Sequence, residues 1–400
     1  MLKHLCWLGR YYKGDNLIPL SIPEIRGNEW KYIKECLDTN WVSYCGTYVD
    51  KFEKYLAEKT GSRYAVAVSS GTAALHLCLI IAGVQPDDEV IMPCISFVSP
   101  ANTVRYCNAW PLFIDISKND WQIDINKLSD FLKYKCFFKN GQLFNKETKR
   151  KISAIIAVHL LGGMYEVDNL ANLAQQYSLP LIEDAAECLG ATYKNKPIGK
   201  KLHGINLNFR LVITSFNGNK IITTGGGGAV LSNDLALAKK VKHLSTTAKV
   251  GDIDFFHDEV GYNYRMTNIA AAMGVAQLEK LDEFVEIKRI IAQKYNETFS
   301  NINSIIIHKE PEYCKATFWM YTIMLDQPSF PVIEKLRLVG IMVRPIWIPI
   351  YKLPAFKKNC MSYKCEFAEQ FYQNAMSLPC SVGLKEKEQT FITNFIKECV

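Results

Sequence analysis

Three features of the 400-residue sequence predict an α/β protein with a large, mostly parallel sheet and a smaller α+β region at the C-terminal end. A strand–glycine turn–helix unit fills 64–82, similar alternations recur to about residue 182, and the texture changes after Met266. These changes divide the chain into an N-terminal arm (1–28), a large α/β domain (29–265) and a small C-terminal α+β domain (266–400).

Taken in order, residues from Glu29 to about Thr60 carry Trp30, Ile33, Leu37, Phe52, Tyr55 and Leu56 at helical spacings. Asn40-Trp41-Val42-Ser43 and Gly46 interrupt them. The β-branched strand 64–68 runs through Ser69-Ser70-Gly71-Thr72 into the apolar helix 73–82. Strands at 89–92 and 112–115 flank a helix at 97–106, and strands at 152–159 and 179–182 flank one at 167–177. Residues 137–144 place Asn140-Gly141 between apolar runs, a hairpin signal. Beyond Met266, 269–284 and 287–299 read as a long helix or helix pair. Strand-like pieces follow at 304–307, 319–325 and 342–343, with helices at 332–339, 365–376 and 386–398. In such parallel sheets the working residues gather at the carboxyl ends of the strands.

Composition narrows the class. Apolar residues make up 48% of the chain and charged ones 22%, enough for a large core. The net charge of +7 is spread out, which suits a phosphate-bearing substrate or simply a basic surface and does not argue for nucleic acid. The 13 cysteines are scattered and odd in number, as expected of reduced thiols in a cytoplasmic protein. Cys360 and Cys365 lack a second pair or a nearby histidine, so no metal site is expected. The basic N-terminus lacks a signal-peptide core, and no apolar run approaches the roughly 20 residues that span a bilayer. The sequence therefore predicts a soluble protein without a membrane partner.

Three segments could carry chemistry. In Thr214-Ser215-Phe216-Asn217-Gly218-Asn219-Lys220 a lysine precedes four glycines, Gly225 to Gly228. The glycines lie on the wrong side for a phosphate-binding Walker loop, but they suit a lysine that reaches into a tight pocket, as well as a surface lysine before a flexible loop. Glu183-Asp184-Ala185-Ala186-Glu187 sits at a strand's carboxyl end. Carboxylates there can bind Mg²⁺, act as acid and base, or hold a cationic ring nitrogen, and they also suit a plain acidic helix start. Ser69-Ser70-Gly71-Thr72 opens a helix, as a phosphate seat or an ordinary N-cap. Together the three supply a phosphate cradle, a carboxylate for a pyridine nitrogen and an amine for a Schiff base, the needs of pyridoxal 5'-phosphate.

The chain resembles the DegT/DnrJ/EryC1 family of sugar aminotransferases, which has the fold-type-I architecture of pyridoxal-phosphate enzymes, over nearly its whole length from Ile18. Within that family it is most similar to the LegC-type aminotransferases of nonulosonic acid pathways. The closer likeness lies in Trp41-Val42-Ser43, Gly46, Tyr48-Val49 and Phe52, in the run from Ser215 to Gly228, and in Arg344-Pro345-Ile346-Trp347 with Lys352-Leu353-Pro354. The resemblance implies that Lys220 is the Schiff-base lysine and that Asp184 pairs with the pyridine nitrogen. It implies that Gly71, Thr72 and Ser215 hold the phosphate, that Phe97 stacks on the ring and that Glu187 lies beside its phenolic edge. Asn263 matches a residue that reaches the phosphate of a neighbouring subunit, which implies a homodimer with shared sites. The expected substrates are a nucleotide-linked 4-keto-6-deoxy sugar and L-glutamate. Amination at another carbon such as C3, or a non-catalytic sugar-nucleotide binder, are the alternatives.

Trp41, Trp347 and Tyr351 suit either a sugar nucleotide or core packing. Arg265 and Arg344 suit either a diphosphate or ion pairs. His159, at the end of a strand, suits a pocket border or a hydrogen-bonded structural role. Relatives usually carry glycines where this chain has Asn206, Phe209 and Val212, which predicts altered geometry in the loop leading to Ser215.

Overall fold

The computed structural model describes residues 17–205, 207–251 and 253–400. The amphipathic N-terminal region forms two helices, α1 (Glu29–Asp38) and α2 (Thr47–Thr60), separated at the predicted break. Strand β1 (Tyr64–Val68) then leads through Ser70 into α3 (Gly71–Ile81). The Ser70 hydroxyl caps α3 by accepting the Ala73 N–H at 3.0 Å, so the helix starts two residues before the apolar run. Strand β2 (Glu89–Pro93) is followed by α4 (Ser99–Tyr106), where Pro100 in the first turn fixes the start and leaves Phe97 in the turn ahead of it.

The remaining strands of the large sheet are β3 (Trp110–Ile114), β4 (Lys151–Val158), β5 (Leu181–Asp184), β6 (Arg210–Ser215) and β7 (Gly228–Ser232). A second sheet contains β8 (Ile305–Ile307), β9 (Tyr321–Leu325) and β10 (Arg344–Pro345); the short β11 (Ser362–Tyr363) and finally β12 (Ala375–Leu378) complete the set. The large sheet runs β1-β7-β6-β5-β4-β2-β3-β11. Along this order every neighbour from β6 to β11 is parallel, and β7 is antiparallel to both of its partners. The β2, β4 and β5 strands are almost wholly buried, as a sheet covered on both faces requires. The Asn140-Gly141 hairpin forms as expected, both residues taking positive φ, and it extends the sheet along the start of β4.

The C-terminal sheet is antiparallel in the order β8-β9-β12-β10. Several expectations change here. The helix predicted over 365–376 stops at Asn374, and Ala375–Leu378 becomes a central strand. The strand predicted at 342–343 lies one to two residues later, at Arg344–Pro345. Strand β11, though it belongs to the C-terminal part of the chain, adds to the large sheet beside β3. The long helical run is two helices, α5 (Asn268–Leu278) and α6 (Leu281–Phe299), and α5 packs on α1 and α2.

The loop expectation at the missing glycines is also corrected. Val212 is buried within β6, in register with Glu183 on one side and Leu231 on the other, and Phe209 packs against the core at the strand's entrance. A β-branched side chain at a two-sided buried strand position favours the strand rather than distorting it. Asn206 lies outside the described residues. Every described cysteine is a free thiol, and no helix among the described residues is long and apolar enough to cross a membrane.

Candidate active site

The carboxyl ends of β5 and β6, the N-terminus of α3 and the segments before β9 and after β10 enclose a cavity of about 440 Å³. Gly71, Thr72, Phe97, Asp184, Glu187, Ser215, Lys220, Arg344 and Trp347 all line it. Residues far apart in sequence meet there because parallel strands point their carboxyl ends the same way.

Asp184 is the last residue of β5 and is 5% exposed. Its carboxylate accepts the Ala186 N–H at 3.0 Å. Burial pushes its pKa up, against the pull of the Ala186 amide and of Lys220. Glu187 is equally buried and accepts the Leu161 N–H at 2.8 Å. Burial raises it to about 7, with Lys220 and the Leu161 amide opposing. Leu161 is held at φ 60°, a left-handed conformation that costs a branched residue about 1–3 kcal/mol.

The Lys220 amine lies 3.9 Å from Glu187 and 3.9 Å from the centroid of the Trp319 ring. Its side chain is only 13% exposed, and burial lowers its pKa while Glu187 and Asp184 raise it. Burial of this kind makes a lysine easier to deprotonate, and the neutral amine is the form that acts as nucleophile or base.

The α3 N-terminus faces the same cavity. The first amides of a helix have no intrahelical partner, which leaves those of Gly71 and Thr72 for an anion. Ser215 ends β6 beside them, and a Cβ at Gly71 would sit 2.9 Å from the Ser215 Cβ, so only glycine lets the two segments close into one cradle. The Thr72 hydroxyl donates to Ser99 at 3.2 Å, tying α3 to α4 below Phe97. A phosphate seat, a buried carboxylate with acceptor capacity to spare and a lysine amine thus surround one space, and these residues fit pyridoxal phosphate.

Other sequence candidates lie elsewhere. Arg265 was expected to meet a diphosphate, but its guanidinium is buried outside the cavity. It donates to the Ala67 carbonyl at 2.8 Å and to Glu53 at 2.7 Å, so its donors are committed to holding β1. Trp41 is 60% exposed and away from the pocket of its own chain; its carbonyl accepts from Asn268 at 2.7 Å. Asn263 is exposed, bridges to Thr246 and does not reach the cavity of its own chain. Tyr351 donates to Glu369 at 2.7 Å. His159 is fully buried behind the sheet, hydrogen-bonded to Glu183 at 2.9 Å and stacked on Tyr165, which is the structural role.

Sequence reading missed Trp319, which it placed in a strand. The indole lies in the cavity wall, stacked at 10° to Trp347, and its N–H reaches a carbonyl 100 positions away in the chain. Only the crowding of Thr317-Phe318-Trp319-Met320-Tyr321 marked that segment.

The chain is 34% identical over 389 residues to GDP-perosamine synthase of Escherichia coli O157:H7, covering 95% of this chain and 98% of that protein. It is 35% identical over 356 residues to UDP-4-amino-4,6-dideoxy-N-acetyl-beta-L-altrosamine transaminase of Campylobacter jejuni, covering 87% and 88%. The solved structure of Helicobacter pylori PseC, an aminotransferase involved in the biosynthesis of pseudoaminic acid, superposes with a TM-score of 0.84 at 26% identity, over 96% of this chain and 99% of that one. Because the model of the DegT/DnrJ/EryC1/StrS aminotransferase family matches residues 23–397, the chain belongs to that family, whose aminotransferases use pyridoxal phosphate.

Proposed function

We propose that the protein transfers an amino group to a nucleotide-linked keto-sugar, with Lys220 as the Schiff-base lysine and Asp184 opposite the pyridine nitrogen. The observation that carries this reading is the Lys220 amine, enclosed beside Asp184 and Glu187 in the cavity that the α3 N-terminus also faces. Bound there, pyridoxal phosphate supplies an aldehyde for the amino donor and a protonated ring that takes up an electron pair. Asp184 would accept the ring N–H, and a cationic ring nitrogen beside it would favour the carboxylate against the effect of burial. The Gly71 and Thr72 amides and the Ser215 hydroxyl hold the phosphate. Phe97 would cover one face of the ring, and Glu187 would lie beside its phenolic edge. Lys220 would take the proton from the donor carbon that bears nitrogen and deliver it, within the same half-reaction, to the cofactor carbon that carried the aldehyde, and the transfer would run the other way in the opposite half-reaction.

Arg344 and Trp347, on the opposite wall, would meet the diphosphate and the sugar. The relatives' names specify a GDP-linked sugar in one case and a UDP-linked amino sugar in the other. For this chain the proposed substrate is a 4-keto-6-deoxy sugar on a nucleoside diphosphate, with L-glutamate as donor. The product would serve amino-sugar or nonulosonic acid synthesis for surface polysaccharide. The division near Arg265 into a large cofactor-binding domain and a small one is part of the same proposal.

Asn263 is outside its own pocket, and the neighbouring segment exposes Ile253, Phe255 and Val260. A second copy seated on that surface would receive Asn263 and complete the site, so the proposed unit is a homodimer. Mixed subunits test this: Lys220→Ala combined with Asn263→Ala assembles one intact site per hybrid and should regain about a quarter of parental activity.

The primary experiment is the visible spectrum of the protein with pyridoxal phosphate, before and after L-glutamate, for the parent and Lys220→Ala. A band that forms in the parent, is bleached by glutamate and is lost in the variant supports the reading. A parent that stays colourless refutes it. Incubation with a panel of keto-sugar nucleotides, with products read by mass and NMR, then identifies the acceptor.

A further inference from the structure

We propose that Trp319 is a positioning residue for Lys220: its indole N–H fixes the peptide before the lysine, while its ring face receives the lysine's terminal nitrogen as a cation. The inference rests on the reading of Lys220 as the reactive amine.

The Trp319 Nε1–H donates to the Asn219 carbonyl at 2.7 Å, and the Ser21 hydroxyl approaches the same oxygen at 3.4 Å. That carbonyl belongs to the peptide whose nitrogen is Lys220's own, so these contacts set where the lysine side chain starts. The other end is set by the ring, whose centroid lies 3.9 Å from Lys220 Nζ. One side chain thus holds both ends of another.

The tryptophan is itself held from behind. Its carbonyl accepts from the buried Lys288 ammonium at 3.2 Å, which also donates to the Cys380 carbonyl at 2.6 Å. On the other side lies Gly162, where a Cβ would come within 2.5 Å of the Trp319 nitrogen. Gly162 has φ 95° and Phe318 φ 50°, so two left-handed residues are used to bring this segment against the site.

An aromatic face attracts an ammonium and not a neutral amine. A transaminase lysine must do two opposed things, take a proton from one carbon and give it up to another. Burial favours the neutral amine; the Trp319 face, Glu187 and Asp184 favour the ammonium, and Cys188 is the remaining ionisable group near enough to matter. The proton that leaves the substrate carbon would rest on Lys220 Nζ, against Trp319, between its removal and its delivery to the cofactor carbon that carried the aldehyde, which leaves the amine neutral again. No oxidant or other co-reactant enters the step.

The test needs neither cofactor turnover nor sugar. Full-length, cofactor-free protein is trace-labelled with acetic anhydride across pH, and acetylation of Lys220 is read by mass spectrometry for the parent, Trp319→Leu and Trp319→Phe. Loss of the face in Trp319→Leu should lower the titration midpoint by about 0.5–1.5 pH units, and Trp319→Phe should lower it less. A residue that merely shields the lysine would change the plateau of reactivity and leave the midpoint in place, and that result overturns the proposal. If Trp319→Leu does not fold, Trp319→Phe decides: an unshifted midpoint overturns the proposal and a lowered one supports it. A lowered midpoint in a protein that forms no visible band with pyridoxal phosphate would keep the positioning role and reject the aminotransferase reading, so the two fail separately.

Discussion

Glu183 and Asp184 are adjacent on β5 and almost equally buried, yet the pleat of the strand sends them to opposite sides of the sheet. Behind the sheet, Glu183 receives Arg210, His159 and Tyr165. Burial alone would raise its pKa, but Arg210 and the His159 and Tyr165 hydrogen bonds hold it down to about 2. In front, Asp184 and Glu187 each accept a backbone N–H, and burial raises both. The satisfied carboxylate is structural, while those with acceptor capacity left over face the cavity. Lys220 is the cation beside this pair, 3.9 Å from Glu187, and a buried acid with acceptor capacity left over is poised to take a further partner from a ligand.

The largest effect expected is that of Lys220→Ala, which should slow the half-reaction with glutamate by on the order of 10³-fold or more with no loss of thermal stability. Stopped-flow absorbance and a melting curve on the same preparation measure both. The next pair separates the two faces of β5. Asp184→Asn should slow the same step by roughly 10²–10⁴-fold and leave the urea midpoint unchanged or higher. Glu183→Gln should instead cost about 3–5 kcal/mol in urea unfolding, because Arg210 and His159 lose their anion, with the chemical step little altered. Equal losses of rate in the two variants would erase the distinction between the faces.

Titration sharpens it. The folded pKa of Glu183 is depressed, so its stabilisation is present above its ordinary 4.5 and is lost as pH falls through about 2. Glu187 has the opposite sign: its folded pKa is raised to about 7, so the cofactor-free protein should lose up to about 3 kcal/mol as pH rises from 4.5 through 7. Glu187→Gln keeps an acceptor for the Leu161 N–H but does not titrate, and its stability should be flat across that window. A parallel pH dependence in parent and variant would show that Glu187 is not the group responsible. The smallest change expected is for Arg344→Lys, which trades a two-pronged donor for a point charge and should raise KM for the sugar nucleotide about tenfold with kcat unchanged.

Much of the site was legible in sequence because its parts are local. Ser70-Gly71-Thr72 opens a helix, Asp184 ends a strand and Lys220 lies in the loop five residues after one, and the parallel sheet inferred from alternating strands and helices brings such ends together. Arg265 was misjudged because a guanidinium serves a diphosphate and a buried Glu53 equally well, and only packing chooses between them. Val212 was misjudged because its comparison with glycine ignored its place in a buried strand. The strand at 375–378 was hidden because Ala375 and Met376 continue a helical pattern that ends only when they pair with β9 and β10.

The sequence by itself determined the alternation of strands and helices that makes a mostly parallel sheet, the helix start near Gly71, and which residue types could serve a phosphate, a ring nitrogen and a Schiff base. Those properties depend on neighbours within a turn or a strand. Tertiary structure alone decided which face of β5 borders the cavity, that Arg265 is committed to Glu53, and that the Trp319 indole reaches the Asn219 carbonyl, 100 positions away, beside Lys220. The physical reason is that burial and desolvation depend on every element packed around a group, and these assign roles to side chains whose chemistry alone permits several.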